Sequence, residues 1–344
     1  MKRRILACIC LAVLMVVMGL AGCGARGEEE SVTIMRAAPP VFQDDVLQIG
    51  LIQTGKESDW RDANTNDYLK TFSQENGYNL IYIDGNSDAE RQVKAMNDLI
   101  AQNVDYIILQ PIVETGWEDS LKKAKEAGIP VIVADRMVSE ELSDYVTSWV
   151  GSDFQMEGNK AMHWLESYLK KQGRENDGLN IILLEGTEGA TATIGRSEGI
   201  REVIAKHSNW KIIKSEYANF TQGEAQNVME DILKKYNASD IDVIISENDN
   251  MMFGAMKAMD RQKVSYGPDG RIITISFDAL GEAFEKMMDG KLHATIECNP
   301  LLAGNVESII KNLEAGLAVE KKYYTEEGVF DYTNAADYAD QRVY

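Results

Sequence analysis

The chain has 344 residues, 44% of them hydrophobic, and a formal net charge of −20. That length and apolar content are enough for a large core and suggest about two domains. The acidic balance, with no run of Lys and Arg that forms a patch on the body, argues against a nucleic-acid partner, because a polyphosphate backbone is bound through grouped basic side chains.

The N-terminus speaks to compartment. "MKRR" followed by "ILACICLAVLMVVMGL" and small residues reads as an export signal over residues 1–22. "LAGC", Leu20 to Cys23, matches a bacterial lipobox, which predicts cleavage before Cys23 and lipid on its sulfur. The expected location is therefore extracytoplasmic, anchored to the cell membrane by lipid. Cys8 and Cys10 leave with the signal, so Cys298 is the one thiol left over and no disulfide framework is expected. Residues 23–45 contain Pro39–Pro40 and lack periodicity, which suits a flexible tether.

From Val46 onward, apolar runs alternate with amphipathic segments. Ten strand candidates follow in order: "VLQIGLI", "NLIYID", "VDYIILQ", "PVIVAD", "YVTSWVG", "LNIILLE", "WKIIKSEY", "IDVIIS", "IITISF" and "HATIE". Strands separated by helices of 10–15 residues predict βαβ units, an α/β fold and mainly parallel sheets. Ten strands fit two sheets better than one. Helix starts are predicted by capping boxes at Ser87/Glu90, Thr115/Glu118, Ser152/Gln155 and Thr221/Glu224, and helix ends by Gly77 and Gly128.

In open parallel sheets, ligands bind beyond the carboxyl ends of the strands. The residues found there are chemically distinctive. The first strand is followed by "QTGKESDWR", with Glu57, Trp60 and Arg61; Gln110 ends the third, and Asp135 and Arg136 follow the fourth. Arg196 follows "IILLEG", Asn248 follows "IDVIIS", and Asp278 follows "IITISF". Carboxylates and amides accept from hydroxyl groups, guanidinium donates a planar fork, and an aromatic face covers C–H surface. That combination suits a carbohydrate. "EGTEGATATIG" lacks both the GxGxxG spacing and a P-loop Lys, which disfavours nucleotides.

Catalysis finds little support. There is no G-x-S-x-G elbow, and His163, His207 and His293 are scattered, offering neither a triad nor zinc spacing. "DGNSD", Asp84 to Asp88, starts like a calcium loop, but Ala89 stands where Gly is needed and Ala95 where the bidentate Glu belongs. No enzyme, metal or cofactor is expected.

The body resembles the sugar-binding proteins of ABC transporters, of the ribose/galactose-binding type. The segments that carry the likeness are "GLIQTGKESDWRDANTND", "PIVETGWEDSLKKAKEAGIPVIVADR", "SENDNMMFGAMKAM" and "HATIECNPLLAG". Glu57, Trp60 and Arg61 together with "TGW" look most like the galactofuranose-binding branch. The resemblance implies two Rossmann-like lobes of the type I periplasmic binding protein fold, joined by three crossings near Val150–Gly151, Glu297–Asn299 and Ala318–Lys322. Lobe one would then comprise residues 46–150 plus 298–318, and lobe two residues 151–297 plus 319–344.

It further implies a ligand site of Glu57, Trp60, Arg61, Gln110, Asp135, Arg136, Arg196, Phe220, Asn248 and Asp278. Cys298 stands where ribose binders commonly have Gln, "SDF" at Ser152–Phe154 replaces their S/T-x-D-N pattern, and Glu57 replaces an Asn, which argues against ribose. The implied function is capture of a monosaccharide by hinge closure and delivery, as a monomer, to an ABC permease with its ATPase. The alternative is a sensor that presents sugar to a membrane histidine kinase.

Overall fold

A computed structural model of the chain describes residues 46–344. The leader, Cys23 and the 23–45 tether lie outside the described residues. Among the described residues no helix is long and apolar enough to cross a membrane.

The chain begins with β1 (Leu47–Gln53), α1 (Asp59–Thr71), β2 (Tyr78–Asp84), α2 (Ala89–Gln102), β3 (Tyr106–Leu109), α3 (Glu118–Ala127), β4 (Val131–Ala134) and β5 (Ser148–Gly151). A second series follows: α4 (Phe154–Lys171), β6 (Leu179–Glu185), α5 (Thr191–Ile204), β7 (Trp210–Tyr217) and α6 (Gln222–Lys235). It continues with β8 (Val243–Ser246), α7 (Asp249–Arg261), β9 (Ile273–Asp278), α8 (Gly281–Met288) and β10 (Ala294–Glu297). The last elements are α9 (Ala303–Glu314), β11 (Lys322–Tyr324), β12 (Val329–Asp331) and α10 (Ala335–Tyr338).

These strands form two six-stranded sheets, in the orders β2-β1-β3-β4-β5-β11 and β7-β6-β8-β9-β10-β12. All neighbours are parallel except β12, which runs antiparallel to β10. Parallel strands covered by helices on both faces are buried on both faces, so they read as unbroken apolar runs. The residues of β3, "YIIL", and of β8, "VIIS", are accordingly all buried. In the first lobe one sheet face packs Ile52, Leu109 and Val133 against Met96, Leu99 and Leu121 of α2 and α3. The other face packs Ile49, Leu51 and Ile108 against Tyr68 of α1 and Val306 and Ile310 of α9. Thus α9 returns to the first lobe after β10 has completed its part of the second sheet.

The last strands depart from the expected division. The third crossing is expected near Ala318–Lys322, yet Lys322 pairs with Trp149 and Tyr324 with Gly151, which keeps β11 in the first sheet. Trp149 N also donates to Lys321 O at 2.9 Å, and Ser148 Oγ to Glu320 O at 2.9 Å. The chain therefore crosses between Tyr324 and Val329. Neither β11 nor β12 is among the ten expected strands; each has three residues and β11 sits exposed on a sheet edge, so neither carries an apolar run.

Helix starts are shifted as well. Thr221 caps α6 as expected, accepting from Glu224 N at 3.3 Å. At the other three boxes the neighbouring residues prevail. Asp88, not Ser87, caps α2, and Asp153, not Ser152, caps α4. Ser87 has φ of 55°, outside the extended conformation an N-cap adopts. Thr115 is followed by Gly116 in the left-handed region, and α3 starts after Trp117 without a side-chain cap. Gly77 and Gly128 do end helical turns, both in the left-handed conformation.

Candidate functional site

The carboxyl ends of β1, β3 and β4 face those of β6, β8 and β9 across a narrow cavity. Its free volume is about 20 Å³, the room of a single water, because side chains of the two lobes meet across it. Glu57, Trp60, Arg61, Asp135 and Arg136 line it from the first lobe, and Arg196, Phe220, Asn248 and Asp278 from the second. Gln110 stands behind this lining and holds Arg61, accepting from Nη1 at 2.6 Å. Ser58, Ala192 and Cys298 complete the wall and were not singled out as site residues by sequence. Ala192 and Cys298 carry no polar pattern that would mark them.

Trp60 and Arg61 follow β1 closely and lie in the first turn of α1. Ser58 caps that helix, its Oγ accepting from Arg61 N at 3.2 Å. The helix starts so early because Ser58 and Asp59 place a cap and a first-turn acid directly after the β1 loop. The turn therefore delivers both side chains from a rigid element. Trp60 is 4% exposed, and its Nε1 donates to Cys298 O at 2.6 Å. The Arg61 guanidinium lies 4.6 Å from the centre of the indole.

Arg61 is the hub of the first lobe. It donates to Asp135 Oδ2 at 2.6 Å and to Glu57 Oε1 at 3.0 Å. Glu57 in turn accepts from Arg136 Nη2 at 2.5 Å. Two guanidinium groups and two carboxylates thus alternate, all of them buried. Burial pushes the Arg61 pKa down, but Asp135 and then Glu57 outweigh it and leave it above the ordinary value. For Arg136 burial prevails over Glu57, with Arg61 adding repulsion, so its pKa is lowered. Arg136 also stacks on Phe220 of the second lobe, 4.8 Å from the ring centre.

Arg196, on α5, is the corresponding hub of the second lobe. It donates to Glu157 Oε2 at 2.6 Å and to Glu247 O, and lies 3.6 Å from Asp278 Oδ1. Burial lowers its pKa, and Glu157 first among the acids more than reverses that. Asp278 is pushed well above the carboxylate range by burial, with Arg196 opposing and Asp249 and Glu157 adding to the rise. Asn248 serves two roles at once. Its Oδ1 caps α7 by accepting from Met251 N at 2.8 Å, and its Nδ2 donates to Phe220 O at 3.0 Å, while the residue lines the cavity.

Three lining residues sit in the left-handed region: Asp135 at φ 60°, Phe220 at 59° and Asp278 at 109°. Each such position costs on the order of 1–3 kcal/mol for a non-glycine residue, and the surrounding structure must hold it. Phe220 is held by a close approach to Gly186, where a Cβ would stand 2.0 Å from the ring.

Direct bonds join the two lobes around the cavity. Asn250 exchanges hydrogen bonds with Asp59, accepting from its N at 3.2 Å and donating to Oδ2 at 2.7 Å. Met137 N donates to Thr191 Oγ1 at 2.8 Å, and Glu114 N to Gly189 O at 3.1 Å. Trp60 packs into the apolar cluster of the opposite lobe with Ala192 and Phe220.

Known proteins share this arrangement. The family described as periplasmic binding protein domain matches residues 49–306. The galactofuranose-binding protein YtfQ of Escherichia coli (strain K12) is 35% identical over 287 residues, covering 83% of this chain and 87% of that protein. A crystal structure of a galactofuranose binding protein superposes with a TM-score of 0.81 at 32% identity, covering 86% of this chain and 98% of that one. The binding component of the arabinose ABC transporter from Shewanella sp. ANA-3, bound to α- and β-L-arabinofuranose, gives a TM-score of 0.79 at 36% identity, covering 86% and 95%. These relatives are binding proteins rather than enzymes. Matched by that family over most of its length and by these relatives along nearly their whole chains, the chain belongs to the periplasmic binding protein family.

Proposed function

We propose that the chain is an extracytoplasmic solute-binding protein, anchored by lipid on Cys23, that closes on a monosaccharide in furanose form and delivers it to an ABC permease with its ATPase. The observation that carries this reading is the pair of guanidinium–carboxylate hubs, Arg61 with Asp135 and Arg196 with Asp278, facing one small cavity from opposite lobes. Arg61 and Asp135 supply donors and acceptors for hydroxyl groups from one side, Arg196, Asn248 and Asp278 from the other. Trp60 and Phe220 supply the apolar surface that a sugar's C–H face needs. A ligand that touches both hubs does so only when the lobes are shut, so its differential affinity drives closure. The galactofuranose and arabinofuranose named for the relatives favour a five-membered ring.

Calorimetric titration against D-galactose, L-arabinose, D-ribose, D-fructose and D-glucose tests the reading. One sugar with a furanose form is expected to bind at about 1 µM or tighter, roughly −8 kcal/mol. Trp60→Ala and Asp135→Ala are each expected to weaken it about a hundredfold, about 3 kcal/mol. A folded chain that binds none of the five defeats the proposal.

A further inference from the structure

Behind Arg196 the three crossings between the lobes meet at one carboxylate. Ser152 comes from the first crossing, Asn299 from the second and Thr325 from the third. All three donate to Oε1 of Glu327: Thr325 Oγ1 at 2.8 Å, Asn299 N at 3.2 Å, and Ser152 Oγ closer still. Cys298 Sγ lies 3.3 Å from Ser152 Oγ. Glu157, in the first turn of α4, completes the group, with side-chain atoms of Glu157, Cys298 and Glu327 all within 4.8 Å of one another. Its Oε2 accepts from Arg196, but its Oε1 is buried and has no donor.

A buried carboxyl group, Glu157, facing a half-buried one, Glu327, is stabilised by a positive charge between them, either a proton or a metal ion. A divalent ion would sit beside the Arg196 guanidinium, and its third ligand would be a thiol whose pKa is pushed well up, by burial first and then by Glu157. A proton fits every atom instead. Thr325, Asn299 and Ser152 all direct their hydrogens at Glu327, so a hydrogen on the partnerless Glu157 Oε1 is the one left to lie between the two carboxyl groups. Ser152 gives its own hydrogen to Glu327, which leaves the Cys298 thiol to donate to Ser152 Oγ.

We infer that Glu157 is a positioning residue that ties Arg196 in the cavity to the crossings through a proton shared with Glu327, so that closure on a ligand takes up one proton. This inference rests on the reading of the cavity as a ligand site closed by hinge motion. Burial, opposed by Arg196 and reinforced by Glu327, raises Glu157 to about 8. The groups facing it are Arg196 from α5, Glu327 and Cys298 from the crossings, and Asp278 after β9. Lys160, on the next turn of α4, donates to Glu327 O at 2.9 Å. Glu247 and Asp249 also stand high, at about 8 and about 7, through burial. Their partners, Gly186 and Ser197 for one and Ser276, Leu280 and Thr295 for the other, all belong to the second lobe and stay in place when the lobes part.

Opening the lobes hydrates the crossings and returns Glu157 toward the ordinary carboxyl value of 4.5. Between those two values the closed form holds a proton that the open form lacks. Affinity therefore falls as pH rises through that window, by up to about tenfold per pH unit, and levels off above it.

The test is titration of the full chain with D-galactose and L-arabinose between about pH 5.5 and 8.5, in buffers of differing ionisation enthalpy. The expected result is proton uptake on sugar binding near neutral pH that Glu157→Gln lowers by about one proton per sugar, with a matching loss of pH slope. Absence of uptake, an unchanged slope in E157Q, loss of binding by E157Q at every pH, or a stoichiometric metal ion in the purified protein would each overturn the inference. An infrared titration without sugar keeps the two readings separate. With the lobes held shut by a short thiol cross-link between Asp59→Cys and Asn250→Cys, which touch across the cleft, it should show a carboxylic C=O band that fades as pH passes about 8 and is missing when Glu157→Gln is added. If that band is present and no sugar binds, the shared proton stands and the ligand reading fails. If the band is absent, the shared proton fails whatever the sugars do.

Discussion

The two lobes share a topology and present an arginine to the same cavity, yet they neutralise it differently. In the first lobe Arg61 and Arg136 alternate with Glu57 and Asp135, two charges against two, each acid in contact with a guanidinium group. In the second, Arg196 stands alone among Glu157, Asp278 and the neighbouring Glu247 and Asp249, and burial raises all four acids. The first lobe is balanced by opposite charge, whereas in the second burial pushes the acids toward their protonated forms. Matching cavity walls can therefore differ in their response to pH while looking alike in residue type.

Removing each hub arginine breaks this comparison most directly. Arg61→Met leaves Asp135 as a buried carboxylate without its cation, which is expected to cost about 3–5 kcal/mol in urea unfolding near pH 7. Arg196→Met is expected to cost clearly less, because Glu157 and Asp278 can take or keep protons, and its deficit should shrink as pH falls. Equal losses at every pH would erase the distinction between the lobes.

Gly186→Ala sharpens the comparison from the second lobe alone. A methyl group 2.0 Å from the Phe220 ring must displace it, and with it the surface on which Arg136 stacks. Overpacking of this kind costs roughly 1–3 kcal/mol, and sugar affinity is expected to fall at least tenfold in calorimetry while the chain stays folded. Unaltered affinity would remove Phe220 from the site. Thr221→Ala probes the smallest effect, the cap of the helix that follows Phe220. It is expected to lower stability by about 1 kcal/mol in urea unfolding, with little change in affinity.

Much of this was legible in the sequence because parallel strands announce themselves. Apolar runs located the sheets, and the rule that ligands lie beyond carboxyl ends gathered Glu57, Arg61, Asp135, Asn248 and Asp278 into one set. Local capping signals were less decisive, for a physical reason. In Ser87-Asp88 and Ser152-Asp153 either residue can cap, and backbone conformation, which sequence does not display, chose the aspartate each time. The edge strands β11 and β12 escaped notice because three residues carry too little pattern. Glu157 and Glu327 lie 170 positions apart; nothing short of the fold brings them together at the crossings.

The left-handed backbone at Asp135, Phe220 and Asp278 bears on how this cavity can be retuned for another ligand. Asparagine and glycine tolerate that conformation, whereas branched or bulky side chains do not. A library built to alter selectivity would find few viable letters at Asp135 and Asp278. Trp60 and Arg196 stand on helices and accept a wide range of substitutions without backbone penalty. Adaptability is thus concentrated on α1 and α5, and the strand ends supply the fixed frame against which new preferences would be selected.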